Sequence, residues 1–270
     1  MNKHIRRDPA NAKKIFNNRG LATDYRTLSP LLRPGMKVLD IGCGTGAISK
    51  DIAEKVGPEG HVTGIDNTEK FIAMGMEGFG HIPNLTLVHT DLFEFNPDEK
   101  YDLIVAARVL QWLSNPLEAL VKMKSMLKTG GQASILDYNH NDLEWNPKPP
   151  ESMQQFYRAF LKWREGAGMH NGIADELPNM FREAGFMEIE KFKADEHYER
   201  GQDNFVEKAG IWSKVAASTQ MVEEGHLDDA LRLRAIEEYS EWVVNEAFSM
   251  TMKLKEVRGK IAKYNPMSFS

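Results

Sequence analysis

Along the first half of the chain, short apolar runs alternate with segments whose apolar residues recur every three to four positions. The first run, over 36–41 (MKVLDI), passes through a glycine-rich stretch into a segment with Ile48, Ile52 and Val56 four apart, closed by Gly57-Pro58. That is the pattern of a strand, a loop and an amphipathic helix. The strand pattern returns over 61–66, 85–88, 101–107 and 132–137, and helices are predicted over 69–76 and 116–128. In the latter, Ser114 or Asn115 serves as cap, Pro116 sits in the first turn and Gly130-Gly131 ends the helix. These strands do not alternate apolar with polar, which marks a parallel sheet covered on both faces. The expectation is an α/β chain with a doubly wound, mostly parallel sheet and ligands at the carboxyl ends of its strands.

After Asp137 the rhythm changes. Residues 145–150 (WNPKPP) read as a turn-rich break, followed by an amphipathic helix over 153–164. A short helix over 177–184 leads at Gly185 into a strand over 186–192, and two more helices are predicted over 203–218 and 228–245. Near the end, Phe248, Met250, Met252 and Leu254 alternate with Ser249, Thr251 and Lys253, which predicts a last strand with one face buried.

Composition narrows the class. Of 270 residues, 41% are hydrophobic and 27% charged, values of an ordinary globular protein. No apolar run approaches the ~20 residues of a membrane span, and the basic N-terminus lacks the apolar core of a secretory signal, so a cytoplasmic chain is expected. The net charge of −5, scattered along the sequence, argues against broad nucleic-acid binding. A single cysteine, Cys43, excludes an internal disulfide framework and a Cys-rich zinc site. The 14 methionines are numerous, and many follow residue 150.

The candidate chemistry begins in VLDIGCGTG, with glycines at Gly42, Gly44 and Gly46. Glycine allows left-handed dihedrals and close backbone approach, so a ligand can lie against the main chain at this strand end and helix start. On this loop alone two ligands stay open, a nicotinamide dinucleotide, with Ala47 as the final small residue and Asp66 as the distant acid, or another adenosine compound. Asp40 precedes the loop, Asp66 ends the second run, and Asp91 follows the third in Thr90-Asp91-Leu92. A carboxylate such as Asp66 accepts from both hydroxyls of a ribose, and Asp91 suits an exocyclic amine.

Asp40 through Gly46, Asp66, Asp91 and the strand over 101–105 followed by 108–112 (RVLQW) together resemble a class I S-adenosylmethionine-dependent methyltransferase of the ubiquinone/menaquinone type. The resemblance runs over about residues 28–137, and the Ala184-Gly185-Phe186 turn and terminal strand fit the same fold. It implies a seven-stranded Rossmann-like sheet with an antiparallel last strand and a helical lid. In that frame 1–270 is one methyltransferase domain, with N-terminal helices at 1–33 and a cofactor-binding core at 34–140. Lid or insertions occupy 141–185 and 202–245, and final strands 186–196 and 246–260. With S-adenosylmethionine as cofactor, Gly42, Cys43, Gly44 and Gly46 form the loop beside its methionine part, and Asp40 supports that loop. Asp66 is placed at the ribose, Asn67 beside it, Asp91 and Leu92 at the adenine edge, and Arg108 near the methionine end. Gln111 and Trp112 fall near the methyl-transfer site. Arg108 departs from the small or apolar residue found there in many relatives.

Candidates for a general base are Tyr138 and His140, after the fifth strand, and His170 in the loop GAGMHNG. Neither histidine has metal-ligand spacing, and Asp142 or Glu144 completes no set, so no metal is expected. The helices after residue 145 are expected to cover the acceptor with Met153, Phe156, Phe160, Trp163, Met169 and Met180. The expected partner is a small, partly apolar methyl acceptor rather than nucleic acid or a membrane, with a homodimer allowed. Competing readings are a nicotinamide-dependent oxidoreductase, a non-catalytic cofactor-binding protein on the same fold, and an RNA or protein methyltransferase. The acidic balance and the lack of an Asn-Pro-Pro-Tyr clamp count against base methylation.

Overall fold

The parallel-sheet expectation rests on runs that are apolar at consecutive positions, and the first strand shows why. Val38 and Leu39 of β1 (Lys37–Ile41) are both fully buried, on opposite faces of the sheet, in two separate hydrophobic clusters. A computed structural model describes residues 19–262. Its other strands are β2 (His61–Asp66), β3 (Leu85–His89), β4 (Tyr101–Ala107), β5 (Leu127–Asn146), β6 (Met187–Lys193), β7 (Glu196–Glu199) and β8 (Ser249–Lys260). They form one sheet in the order β3-β2-β1-β4-β5-β8-β6, with β7 also paired to β8. β1 to β5 are parallel, and β8 is antiparallel to β5, β6 and β7. The chain moves outward from β1 in both directions, so the topological switch lies between β1 and β4, where α/β sheets open a crevice.

Of the expected N-terminal helices at 1–33, residues 1–18 lie outside the described part. From there the chain makes the one-turn helix α1 (Leu21–Asp24) and a 3-10 turn over Arg26–Leu31. This segment is tied to the sheet: the Tyr25 hydroxyl donates to the Ser134 carbonyl at 2.8 Å, and Arg258, paired with the buried Glu256, donates to the Thr27 carbonyl. The crossovers α2 (Ala47–Val56), α3 (Glu69–Phe79) and α4 (Pro116–Met126) cover the parallel strands. The remaining helices are α5 (Glu151–Gly166), α6 (Ile173–Glu183), α7 (Phe205–Ala209), α8 (Ile211–Ala216), α9 (Gln220–Glu223) and α10 (Asp229–Asn245). α5 and α8 both lie on α10, whose start is capped by the Asp228 carboxylate accepting from the amides of Ala230 and Leu231. No helix among the described residues is long and apolar enough to cross a membrane.

Three differences from the sequence expectation have local causes. The sheet holds eight strands, not seven, because the edge strand breaks at Ala194-Asp195 and resumes as β7; there the Asp195 carboxylate takes the Leu254 amide. β5 runs on through Asn146, past the position where helical insertions were expected to begin. Residues Glu144 to Asn146 find partners in Thr251 to Ser249, and the prolines stop the ladder only afterwards. The helix expected over 203–218 divides at Gly210 into α7 and α8.

Candidate active site

A cavity of about 890 Å³ opens at the carboxyl ends of β1, β2 and β4. At one end the backbone of the glycine loop forms its wall. Gly42 and Gly44 line it, with φ of +67° and +59°, a left-handed region costly for any residue with a Cβ. A Cβ on Gly42 would also stand 2.5 Å from Val109 Cγ2. The other loop residues sit behind this wall. Gly46 abuts Leu87 and Cys43 faces Gly64. Burial, with the charges of Asp40 and Asp66, pushes the Cys43 thiol well above its ordinary range, so it is no nucleophile. Asp40 accepts from the Ser49 hydroxyl at 2.6 Å, and burial, reinforced by the Asp66 charge, pushes its carboxyl up to about 7.

Register brings the two cavity acids side by side. Asp66 at the end of β2 pairs with His89 of β3, and the Thr90 amide donates to the Asp66 carbonyl at 3.1 Å. The buried Asp66 carboxylate is held at both oxygens, by the Gly44 amide and the Thr68 amide, each at 2.9 Å. Each oxygen keeps a further acceptor lone pair. Asp91 takes the Phe93 amide on one oxygen at 2.8 Å. Asn67 and Leu92 line the same end.

Arg108 closes the middle of the cavity and is held in an unusual backbone state, φ +62°. Strain of this kind collects at ligand sites. Its Nε donates to the Tyr138 hydroxyl at 2.8 Å, and its Nη2 to the Asp24 carbonyl at 3.0 Å and the Glu196 carboxylate. Its Nη1 is buried with no hydrogen-bond partner among the described residues. Burial opposes its charge, but Tyr138, Glu196 and Asp24 outweigh that and hold the guanidinium firmly protonated. Tyr138 thus lines the cavity with its hydroxyl already engaged, and burial drives its own pKa well up.

The far end is built differently. Phe160 and Trp163 of α5, Trp212 and Val215 of α8, Met221 of α9 and Met252 of β8 form an apolar wall. Gln111, Trp112 and His140 line the cavity beside them. The Gln111 backbone amide donates to Asp137, whose carboxyl is pushed by burial up to about 6. Gln111 Oε1 lies 2.7 Å from His140 Nε2 and accepts from Arg164 Nη2 at 3.2 Å. Arg164, 0% exposed, also donates to the Asn171 side chain and lies over the Trp112 ring at 4.5 Å. Burial, with the Arg164 charge, holds His140 well below the usual imidazole range.

His170 does not line the cavity; its Nδ1 is 3.2 Å from the Glu176 carboxylate. Met153 and Phe156 are buried in the core away from the cavity, as is Met169, and Met180 packs against the opposite face of the sheet. Sequence reasoning passed over Trp212, Met221, Arg164 and Arg19, all at or behind the cavity wall. Trp212 left one trace, an aromatic on an otherwise ordinary helical pattern. Arg164 left none, since a charge in an amphipathic helix reads as solvated.

Comparison with known proteins adds a second line of evidence. Residues 32–196 match the family described as a methyltransferase domain. The chain is 30% identical over 170 residues to the demethylmenaquinone methyltransferase of Listeria monocytogenes serotype 4a, covering 57% of this chain and 71% of that one. It is 29% identical over 177 residues to the enzyme of the same name from Staphylococcus aureus strain JH9, covering 58% and 70%. Among solved structures, a SAM-dependent methyltransferase from Aquifex aeolicus superposes with TM-score 0.55 at 18% identity, over 95% of this chain and all of that one. Haemonchus contortus phosphoethanolamine N-methyltransferase 2 superposes with TM-score 0.58 at 14% identity, over 93% of this chain but only 56% of the larger protein. At such identities these two structures show a shared fold.

Proposed function

The chain belongs to the methyltransferase-domain family, with the class I S-adenosylmethionine-dependent enzymes of the menaquinone and ubiquinone type, and on that premise we propose that it methylates a small, partly apolar acceptor. The observation that carries this reading is the continuity of one cavity, from a glycine-and-carboxylate end to an aromatic end. The first end fits the cofactor. It offers a backbone wall at Gly42 and Gly44, two carboxylates with spare lone pairs, and a buried guanidinium nitrogen without a partner among the described residues. Gly42 and Gly44 would lie along the methionine part, Asp66 and Asn67 would hold the ribose, Asp91 and Leu92 the adenine edge, and Arg108 the carboxylate.

S-Adenosylmethionine supplies a sulfonium methyl, already activated for displacement. The protein's share is therefore alignment, a contribution that reaches roughly 7–11 kcal/mol in well-oriented systems. Phe160, Trp163 and Trp212 exclude water and suit a ring-bearing acceptor. Tyr138, engaged by Arg108 and kept protonated, serves to orient rather than to accept a proton.

The test is calorimetric titration with S-adenosylhomocysteine, followed by isotopic methyl transfer into metabolite, RNA and protein fractions. The reading expects cofactor binding and label in a small molecule. Label confined to RNA or protein overturns the acceptor assignment, and absence of binding overturns the site.

A further inference from the structure

The protonation pattern of His140 follows from a donor two groups away. A guanidinium only donates hydrogen bonds. Arg164 Nη2 lies 3.2 Å from one end of the Gln111 side-chain amide, so that end is the oxygen; the amide nitrogen correspondingly faces the Arg108 carbonyl at 3.4 Å. The same oxygen is 2.7 Å from His140 Nε2. A carbonyl oxygen cannot donate, so His140 must donate from Nε2, and in the neutral ring Nδ1 is left with its lone pair. Nδ1 makes no hydrogen bond among the described residues, while the ring lines the cavity. The ring is fixed in place by edge contacts with Phe160 and Trp212, centroids 6.1 and 6.2 Å away, and by Tyr138 at 5.1 Å.

Burial of the ring, with the nearby Arg164 charge, disfavours a second proton on the imidazole, so the chamber carries a neutral acceptor nitrogen set in an apolar wall. A bare lone pair offers nothing to a phosphate or carboxylate and everything to a hydroxyl or N–H. We propose that His140 Nδ1 is the polar anchor of the acceptor subsite, taking a hydrogen bond from a neutral hydroxyl or N–H on an otherwise apolar acceptor, with Gln111 and Arg164 as positioning residues that set the His140 tautomer. This rests on the methyltransferase reading of the cavity.

Two readouts test it on the full chain. The first is nitrogen-15 histidine spectroscopy with S-adenosylhomocysteine bound. Wild type and Gln111→Glu, which keeps an oxygen at the same place, are expected to show His140 protonated at Nε2, and Gln111→Met a mixture. The second uses 1-naphthol and 1-methylnaphthalene as probes, alike in shape but only one a donor. Wild type loaded with S-adenosylhomocysteine is expected to bind naphthol about fivefold more tightly, as for one net hydrogen bond. That preference should vanish in Gln111→Met, with S-adenosylhomocysteine binding retained as the check on folding. A His140 protonated at Nδ1 in wild type, or equal binding of the two probes including none, overturns the proposal. Failure to bind S-adenosylhomocysteine at all would count instead against the cofactor reading, and the spectroscopic result would still judge the tautomer.

Discussion

At one end of the cavity, Gly42, Gly44, Asp66 and Asp91 come from the ends of three successive strands of the chain and the loops after them, and their partners are mostly backbone amides. At the other end, Gln111, His140, Phe160 and Trp212 come from a 3-10 turn, a long strand and two helices, and side chains hold one another. The contrast teaches how each end can change. Backbone amides are present whatever the side chains, so the first end depends on a few glycines and acids. The second depends on a buried cation, Arg164, whose removal leaves several groups unpaired.

The largest expected effect breaks that second end. Arg164→Met should lower the unfolding free energy by about 3 kcal/mol or more, because it strips a charged donor from buried acceptors. Urea titration measures it, and a loss below about 1 kcal/mol would mean that the far end does not hang on this residue. Next in size is Asp66→Asn, which puts an amide where both Gly44 and Thr68 donate. It should weaken S-adenosylhomocysteine binding by about tenfold to hundredfold, whereas Trp212→Phe at the opposite end should leave the affinity within about twofold, the scale of a remote change. Comparable losses in the two variants would erase the distinction between the ends.

Gly42→Ala should cost about 2 kcal/mol, from the left-handed backbone and the contact with Val109. In a Val109→Ala background roughly half should return, since only the contact is relieved; full additivity would show that the clash is not felt. A further effect concerns pH. The folded Asp40 carboxyl is pushed from the ordinary 3.8 up to about 7, so between those values the native state holds a proton that the unfolded chain has released. That stabilisation is present at lower pH within the window and disappears as pH rises through about 7. Wild type should therefore be more stable at pH 5.5 than at pH 8 by about 2 kcal/mol on this account. Asp40→Asn, still able to accept from Ser49, should lack that part of the slope; an unchanged slope assigns the pH dependence elsewhere.

How much of this was legible differs along the chain in the same way. The strands β1 to β4 and the loops after β1 to β3 announce themselves because their constraints are local. Runs buried on both faces, as in β1 and β4, stay largely apolar, and a positive φ calls for glycine. β7 and the extension of β5 were not legible, since Glu196–Glu199 and Glu144 to Asn146 are strand only by virtue of the β8 residues they meet. The divided helix at Gly210 and the inward turn of Trp212 were also hidden. Helical periodicity tells which face is apolar, but an aromatic that lines a cavity and one that fills a core follow the same spacing.

By itself, then, the sequence determined the doubly wound sheet, the glycine loop and the acids at the strand ends, because each is dictated by the dihedral freedom or polarity of residues close together in the chain. Only the tertiary structure decided that Arg164 is buried rather than solvated and that Gln111 lies between it and His140. It also decided which helices wall the far end. Those outcomes depend on desolvation and hydrogen-bond geometry between residues distant in sequence, and no local pattern encodes either.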